Sequence, residues 1–109
     1  MSQYFPTPDR LGHHIIFGNI PIVTLAGDHV QMALVELPAD GVVEWHSHPN
    51  EQMGTVLAGR LLFQIGDEAK ELGPGEVYFI PGNVRHRVTP VGGPAKALDV
   101  FYPIRDEYR

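Results

Sequence analysis

Short apolar runs, cut off at near-regular intervals by glycine and proline, most narrow the folds open to this chain. Twelve glycines and ten prolines are spread through 109 residues. Between them lie runs at 14–17, 21–25, 29–37, 42–48, 52–57, 60–65, 70–72, 77–80, 85–89 and 96–102. Valine, isoleucine, phenylalanine and tyrosine dominate these runs, as suits pleated, half-buried strands. Gly27-Asp28, Gly66-Asp67 and Gly73-Pro74-Gly75 read as turns between them. Outside the last few residues, no window carries a helical period over a helical length. Residues 1–12, broken by Pro6, Pro8 and Gly12, read as an irregular arm, and 13–109 as a single domain. Eight to ten short strands in so small a domain predict an all-β fold, the jelly-roll barrel or double-stranded β-helix.

Composition excludes several function classes. The formal net charge of −5 and a pI near 5.6, with the basic residues scattered, argue against a nucleic-acid or anionic-membrane partner. There is no cysteine, so disulfides and thiolate metal sites are ruled out, which accords with a reducing cytoplasm. The first ten residues lack the basic flank and apolar run of a signal peptide, and no stretch has membrane-spanning length. These features predict a cytoplasmic protein whose partner is a small molecule.

The chemistry concentrates in Gly41-Val-Val-Glu-Trp-His46-Ser-His48-Pro-Asn-Glu-Gln52-Met-Gly. On an extended strand His46 and His48 point to one face and Trp45 and Ser47 to the other. Two imidazoles on one face suit a divalent metal, although a His-x-His pattern alone is shared by many strands that bind nothing. Pro49-Asn50 bends the chain, and a hairpin there would return Gln52 or Glu51 beside the pair. Strand phase separates those two, because adjacent residues face opposite ways. Further on, an apolar strand ends in Pro81-Gly82-Asn83, followed by a lone His86. His13, His14 and His29 have no partner spacing and read as surface or strand-end residues.

Together the two segments resemble the paired motifs of the cupin superfamily, over about residues 30 to 103. The first motif corresponds to Gly41, His46, His48, Gln52 and Gly59, the second to Gly75, Pro81 and His86. The resemblance implies the cupin jelly-roll barrel and a metal held by His46, His48, Gln52 and His86. The departures are a Gly41 one residue closer to His46 than usual and a turn glycine one place early. Asn83 stands in that glycine's place and tolerates a left-handed backbone. Gln52 replaces the usual glutamate. Three imidazoles and a carboxamide would leave a divalent ion its full charge, a strong Lewis acid for an anionic substrate. Such donors suit Mn, Fe, Co, Ni or Zn alike.

Within the superfamily, His46-Ser-His-Pro-Asn-Glu-Gln52 and Leu98-Asp-Val-Phe-Tyr-Pro-Ile-Arg105 are similar to the segments of small KdgF-like cupins. Those relatives convert 4,5-unsaturated monouronates to the linear keto form. The resemblance implies a metal-dependent enzyme with Asp99 as proton carrier and Arg105 reaching a substrate carboxylate. Two other readings remain open: another cupin metalloenzyme, such as an oxygenase or a hydroxynitrile-lyase-like enzyme, and a non-catalytic ligand-binding cupin. Parity sharpens the question. If His46 and His48 face inward, so do Gln52, Gly54 and Val56. On the last strand either Asp99 and Phe101 face in, or Leu98, Val100 and Tyr102 do. Burial statistics favour an outward Asp99, and the resemblance favours an inward one. The opposite face would then carry Val43, Trp45, Met53 and Leu57, apolar enough to predict a homodimer.

Overall fold

The computed structural model describes residues 3–109, so the first two residues of the arm lie outside it. It contains ten strands: β1 (Gly12–Ile16), β2 (Ile20–Ala26), β3 (Gln31–Leu37), β4 (Val43–His46), β5 (Glu51–Ala58), β6 (Leu61–Ile65), β7 (Glu68–Leu72), β8 (Val77–Ile80), β9 (His86–Pro90) and β10 (Ala95–Tyr102). Two 3-10 turns, Pro8–Arg10 and Asp106–Tyr108, flank them. No helix among the described residues is long and apolar enough to cross a membrane. Six strands form one antiparallel sheet in the order β1-β2-β3-β10-β5-β8, and four form the other in the order β4-β9-β6-β7. This is the jelly roll that the punctuated apolar runs predict.

Alternation along the strands builds the core. In β3, Gln31, Ala33, Val35 and Leu37 are buried while Met32, Leu34 and Glu36 are exposed. With Ile20, Ile22, Val56, Leu61, Phe63, Ile80 and Phe101 they fill the space between the sheets. Two turns show how residue type meets backbone demand. Gly66 closes the β6–β7 hairpin at φ 59°, where Ile65 pairs with Glu68. Asn83 sits at φ 68° in the turn before β9, the left-handed role expected of it.

Two expectations are corrected. β4 and β5 do not form a hairpin. β4 pairs only with β9, and β5 pairs with β10 and β8, so the bend at Pro49-Asn50 carries the chain from one sheet to the other. Val43 also faces inward, packed against the core, because the β4–β9 register shifts between Val43 and His46. That bulge lets two residues three apart share a face. Trp45, Met53 and Leu57 are exposed as expected, but Trp45 belongs to the other sheet.

Candidate metal centre and cavity

His46 closes β4, His86 opens β9, and the two are direct register partners. His48 lies two residues past β4, in the crossover between sheets. Their ring centroids are 4.2 Å (His46–His86), 5.1 Å (His48–His86) and 5.6 Å (His46–His48) apart. One ring nitrogen from each lies within 4.8 Å of the others, the one such cluster found among the described residues. The Nδ1 atoms sit 2.8, 3.0 and 2.9 Å from the carbonyl oxygens of Glu44, Asn50 and Val84. A carbonyl can only accept, so each Nδ1 carries the proton and each Nε2 keeps a lone pair. Three backbone carbonyls thereby fix the tautomer that a metal needs.

Two observations test whether an ion fits. His86 is 1% exposed, and its Nε2 is a buried polar atom with no hydrogen-bond partner among the described residues. Such an orphan is costly unless something binds it. His48 Nε2 lies 3.0 Å from Gln52 Oε1, so two acceptors face each other. Two donor atoms bound at right angles to one ion at about 2.1 Å are about 3 Å apart. The residues fit a divalent cation.

Gln52 arrives from the opposite sheet, buried on the inner face of β5, while Glu51 beside it is exposed. Strand phase therefore puts the carboxamide at the histidines and the carboxylate on the surface. Gln52 also acts on Asp99, two residues along β10 from its register partner Phe101, and draws the carboxyl's pKa down. A carboxylate accepts only, so the Gln52 NH2 faces Asp99 and its carbonyl oxygen faces His48.

Asp99 points inward, against the burial statistics, and lines the cavity with His46 and His86. Tyr78 OH donates to Asp99 Oδ1 at 2.6 Å. Asp99 and Tyr78 are both register partners of Gly54, on either side of it. A Cβ on Gly54 would stand 2.5 Å from Tyr78 Oη, so the missing side chain is what lets the two groups meet. Burial raises the Asp99 carboxyl above its ordinary range, against the lowering pull of Tyr78, Gln52 and the Arg105 charge. The same burial holds His46 and His48 below the usual imidazole value and pushes His86 down to about 4.

Arg105 also lines the cavity. Its backbone N and O are both bound by the side-chain amide of buried Gln31, at 3.0 and 3.2 Å. Its guanidinium lies 4.1 Å from the Tyr108 ring centroid, and its Nε donates to Glu107 Oε1 at 2.7 Å. The structure thus brings together all six residues expected at the site. His13 and His14 lie apart from it, bound to the carbonyls of Pro8 and Arg109. Sequence reasoning missed Tyr78, Tyr108 and Phe17 at the cavity, and Gln31, which holds the Arg105 backbone. Parity would have placed Tyr78 inward opposite Gly54, but Gln31 and Tyr108 depend on the path of the tail after β10.

The cavity between these groups has a volume of about 40 Å³ and opens to solvent. Apolar walls with a few convergent polar groups are the ordinary construction of a small-molecule site.

No curated protein sequence matches the chain. Among solved structures it is similar to an RmlC-like cupin from Shewanella frigidimarina, at 19% identity and TM-score 0.87 over 99% of this chain and 97% of that one. It is similar to KdgF from a Halomonas species at 23% identity and TM-score 0.81, covering 94% and 97%. A predicted oxalate decarboxylase from Thermotoga maritima matches at 17% identity and TM-score 0.76, covering 92% and 99%. At these identities the likeness is one of fold. The sequence model of the cupin domain matches residues 33–101, which include His46, His48, Gln52, His86 and Asp99, and the chain belongs to the cupin domain family.

Proposed function

We propose that this protein is a metal-dependent cupin enzyme acting on a small anionic sugar acid, and that it converts a 4,5-unsaturated monouronate to its linear keto form. The observation that carries the reading is a half-buried carboxylate, Asp99, that lines one cavity with Arg105 and with His46 and His86, two of the three clustered imidazoles. His46, His48, His86 and Gln52 would hold one divalent ion, of Mn, Fe, Co, Ni or Zn type. Bound there, it would supply Lewis-acid stabilisation of a developing oxyanion. The conversion is an isomerisation. The hemiacetal hydroxyl loses a proton, the bond from the anomeric carbon to the ring oxygen breaks, and the resulting enolate takes a proton on carbon.

Asp99 is the proton carrier for this exchange. Tyr78 and Gln52 hold its carboxyl in place, and its burial makes it a more effective acid than an exposed aspartate at neutral pH. Arg105 takes the substrate carboxylate. Glu107 and the Tyr108 ring occupy its Nε and one face, which fixes the direction of the fork. Asp99→Asn keeps the shape and removes the proton carrier. The variant is expected to retain fold and metal and to lose about 100-fold or more in turnover of the unsaturated uronate. Near-normal turnover would remove Asp99 from the mechanism.

The chain is also proposed to pair with a second copy. On the outer face of the six-stranded sheet, Met32, Val100, Met53 and Phe79 form one cross-strand row, and Leu34, Leu98, Thr55 and Val77 a second. Exposures of 41% to 73% at Met32, Leu34, Met53, Val77 and Phe79 leave an uncharged apolar face. Light scattering at micromolar concentration is expected to give a dimer, and a monomeric mass would end the proposal.

A further inference from the structure

The β1–β2 turn holds a residue that its backbone disfavours. Phe17 sits at φ 50° and Gly18 follows at φ 88°, two consecutive left-handed residues in the three-residue loop between Ile16 and its register partner Ile20. A left-handed position in a hairpin loop suits Asn, Asp or Gly. A bulky non-glycine residue there is an outlier, and outliers of this kind collect at functional sites. Phe17 is 41% exposed, so burial of its ring in the core does not account for it. Its ring centroid is instead 5.3 Å from that of His46, and the residue lines the cavity. β1 is an edge strand of the six-stranded sheet and His46 belongs to the other sheet. The turn thus carries one aromatic ring across the gap between the sheets, where the cavity meets solvent.

We propose that Phe17 is a specificity-determining residue, whose ring forms the solvent-side wall of the substrate site and packs on the apolar face of a bound sugar acid. The inference rests on the uronate reading above and adds to it the residue that recognises the carbon skeleton. Arg105, Asp99 and the imidazoles address oxygen atoms. Among the described cavity residues, Phe17 alone combines an exposed aromatic ring with contact to a candidate ligand histidine. An aromatic face offers a large apolar surface with little flexibility, suited to a ring's C–H face. The left-handed backbone fixes where that surface stands.

Phe17→Asn tests this, because asparagine suits the left-handed position and removes the ring. The thermal midpoint should be no lower than wild type and metal content unchanged. KM for the unsaturated uronate should rise about tenfold or more, with kcat changed much less, and Phe17→Tyr should restore the wild-type KM. Calorimetric binding of D-galacturonate, measured alongside, should weaken in the same variant. If wild type turns over the uronate and Phe17→Asn has the same KM, the inference fails and the proposed function stands. A midpoint lowered by several degrees would make the ring a packing element and overturn the inference as well. If wild type does not act on the uronate, the proposed function fails, and galacturonate binding decides the role of Phe17. Weaker binding in Phe17→Asn supports it; equal binding, or none to wild type, overturns it.

Discussion

The metal-free protein should lose stability in acid through His86. A histidine whose folded pKa lies below its unfolded value binds fewer protons when folded. Its contribution is therefore complete above the unfolded value of 6.5 and is lost as pH falls toward about 4. At about 1.4 kcal/mol per pH unit, that gap is worth about 3 kcal/mol, a large part of the 5–15 kcal/mol typical of a domain. His86 is 1% exposed, so solvent screening does little to reduce the figure. His46 and His48 are lowered too and act in the same sense. Asp99 acts in the opposite sense, since a raised carboxyl favours the folded state at low pH. Comparing wild type with His86→Gln separates His86 from the rest. Urea unfolding of chelator-treated protein, at fixed ionic strength between pH 7.5 and 4, should show the wild type losing about 3 kcal/mol more than the variant. Parallel curves would refute the reasoning, since they would mean that His86 takes up its proton in the folded protein as readily as in the unfolded chain.

Replacing both His46 and His48 with alanine should abolish retention of a divalent ion. Unchanged stoichiometry by elemental analysis would rule out the site. Gly54→Ala should destabilise the fold by about 2–3 kcal/mol in urea unfolding, because its Cβ would meet Tyr78 and the Leu98 backbone. It should also lower turnover by displacing Tyr78 from Asp99, and a variant as stable as wild type would show that the strands move apart without cost.

The parts of this molecule legible in the sequence are those set by strand period and by turn chemistry. Alternation placed Gln52 and Val56 inward and separated Gln52 from Glu51, because adjacent strand residues must face opposite ways. Turn residues marked Gly66 and Asn83, whose backbones are left-handed. Parity failed at Val43, where a bulge in the β4–β9 ladder resets the count, and nothing in Gly41-Val-Val-Glu-Trp signals it. Pairing was also beyond the sequence. Pro49-Asn50 looks like a hairpin turn, but whether a bend joins partners in one sheet or crosses to the other depends on which strands are already paired. The facing of Asp99 was undecidable for a related reason. Its acceptance inside depends on Tyr78 and Gln52, residues 21 and 47 positions away, both brought to it across neighbouring strands.

That crossover explains the order of groups around the cavity. His46 and His86 come from the four-stranded sheet, while Gln52, Asp99 and Tyr78 come from the six-stranded one. His48 lies on the segment that joins the two. The chain of contacts therefore runs across the sandwich, from Tyr78 to Asp99 to Gln52 to His48. Every link but the last pairs a donor with an acceptor. At the last, a carbonyl oxygen faces a ring nitrogen whose proton is already committed to the other side of the ring. Turning the Gln52 amide over would relieve that contact but would set its oxygen against the Asp99 carboxylate. The mismatch is thus confined to the histidine cluster that also holds the orphaned Nε2 of His86, and a cation would resolve both at once. On the proposed reading Asp99 would serve two ends with one geometry. It would keep the carboxamide oxygen turned toward a bound ion, and among the described residues it is the only aspartate or glutamate in the cavity wall.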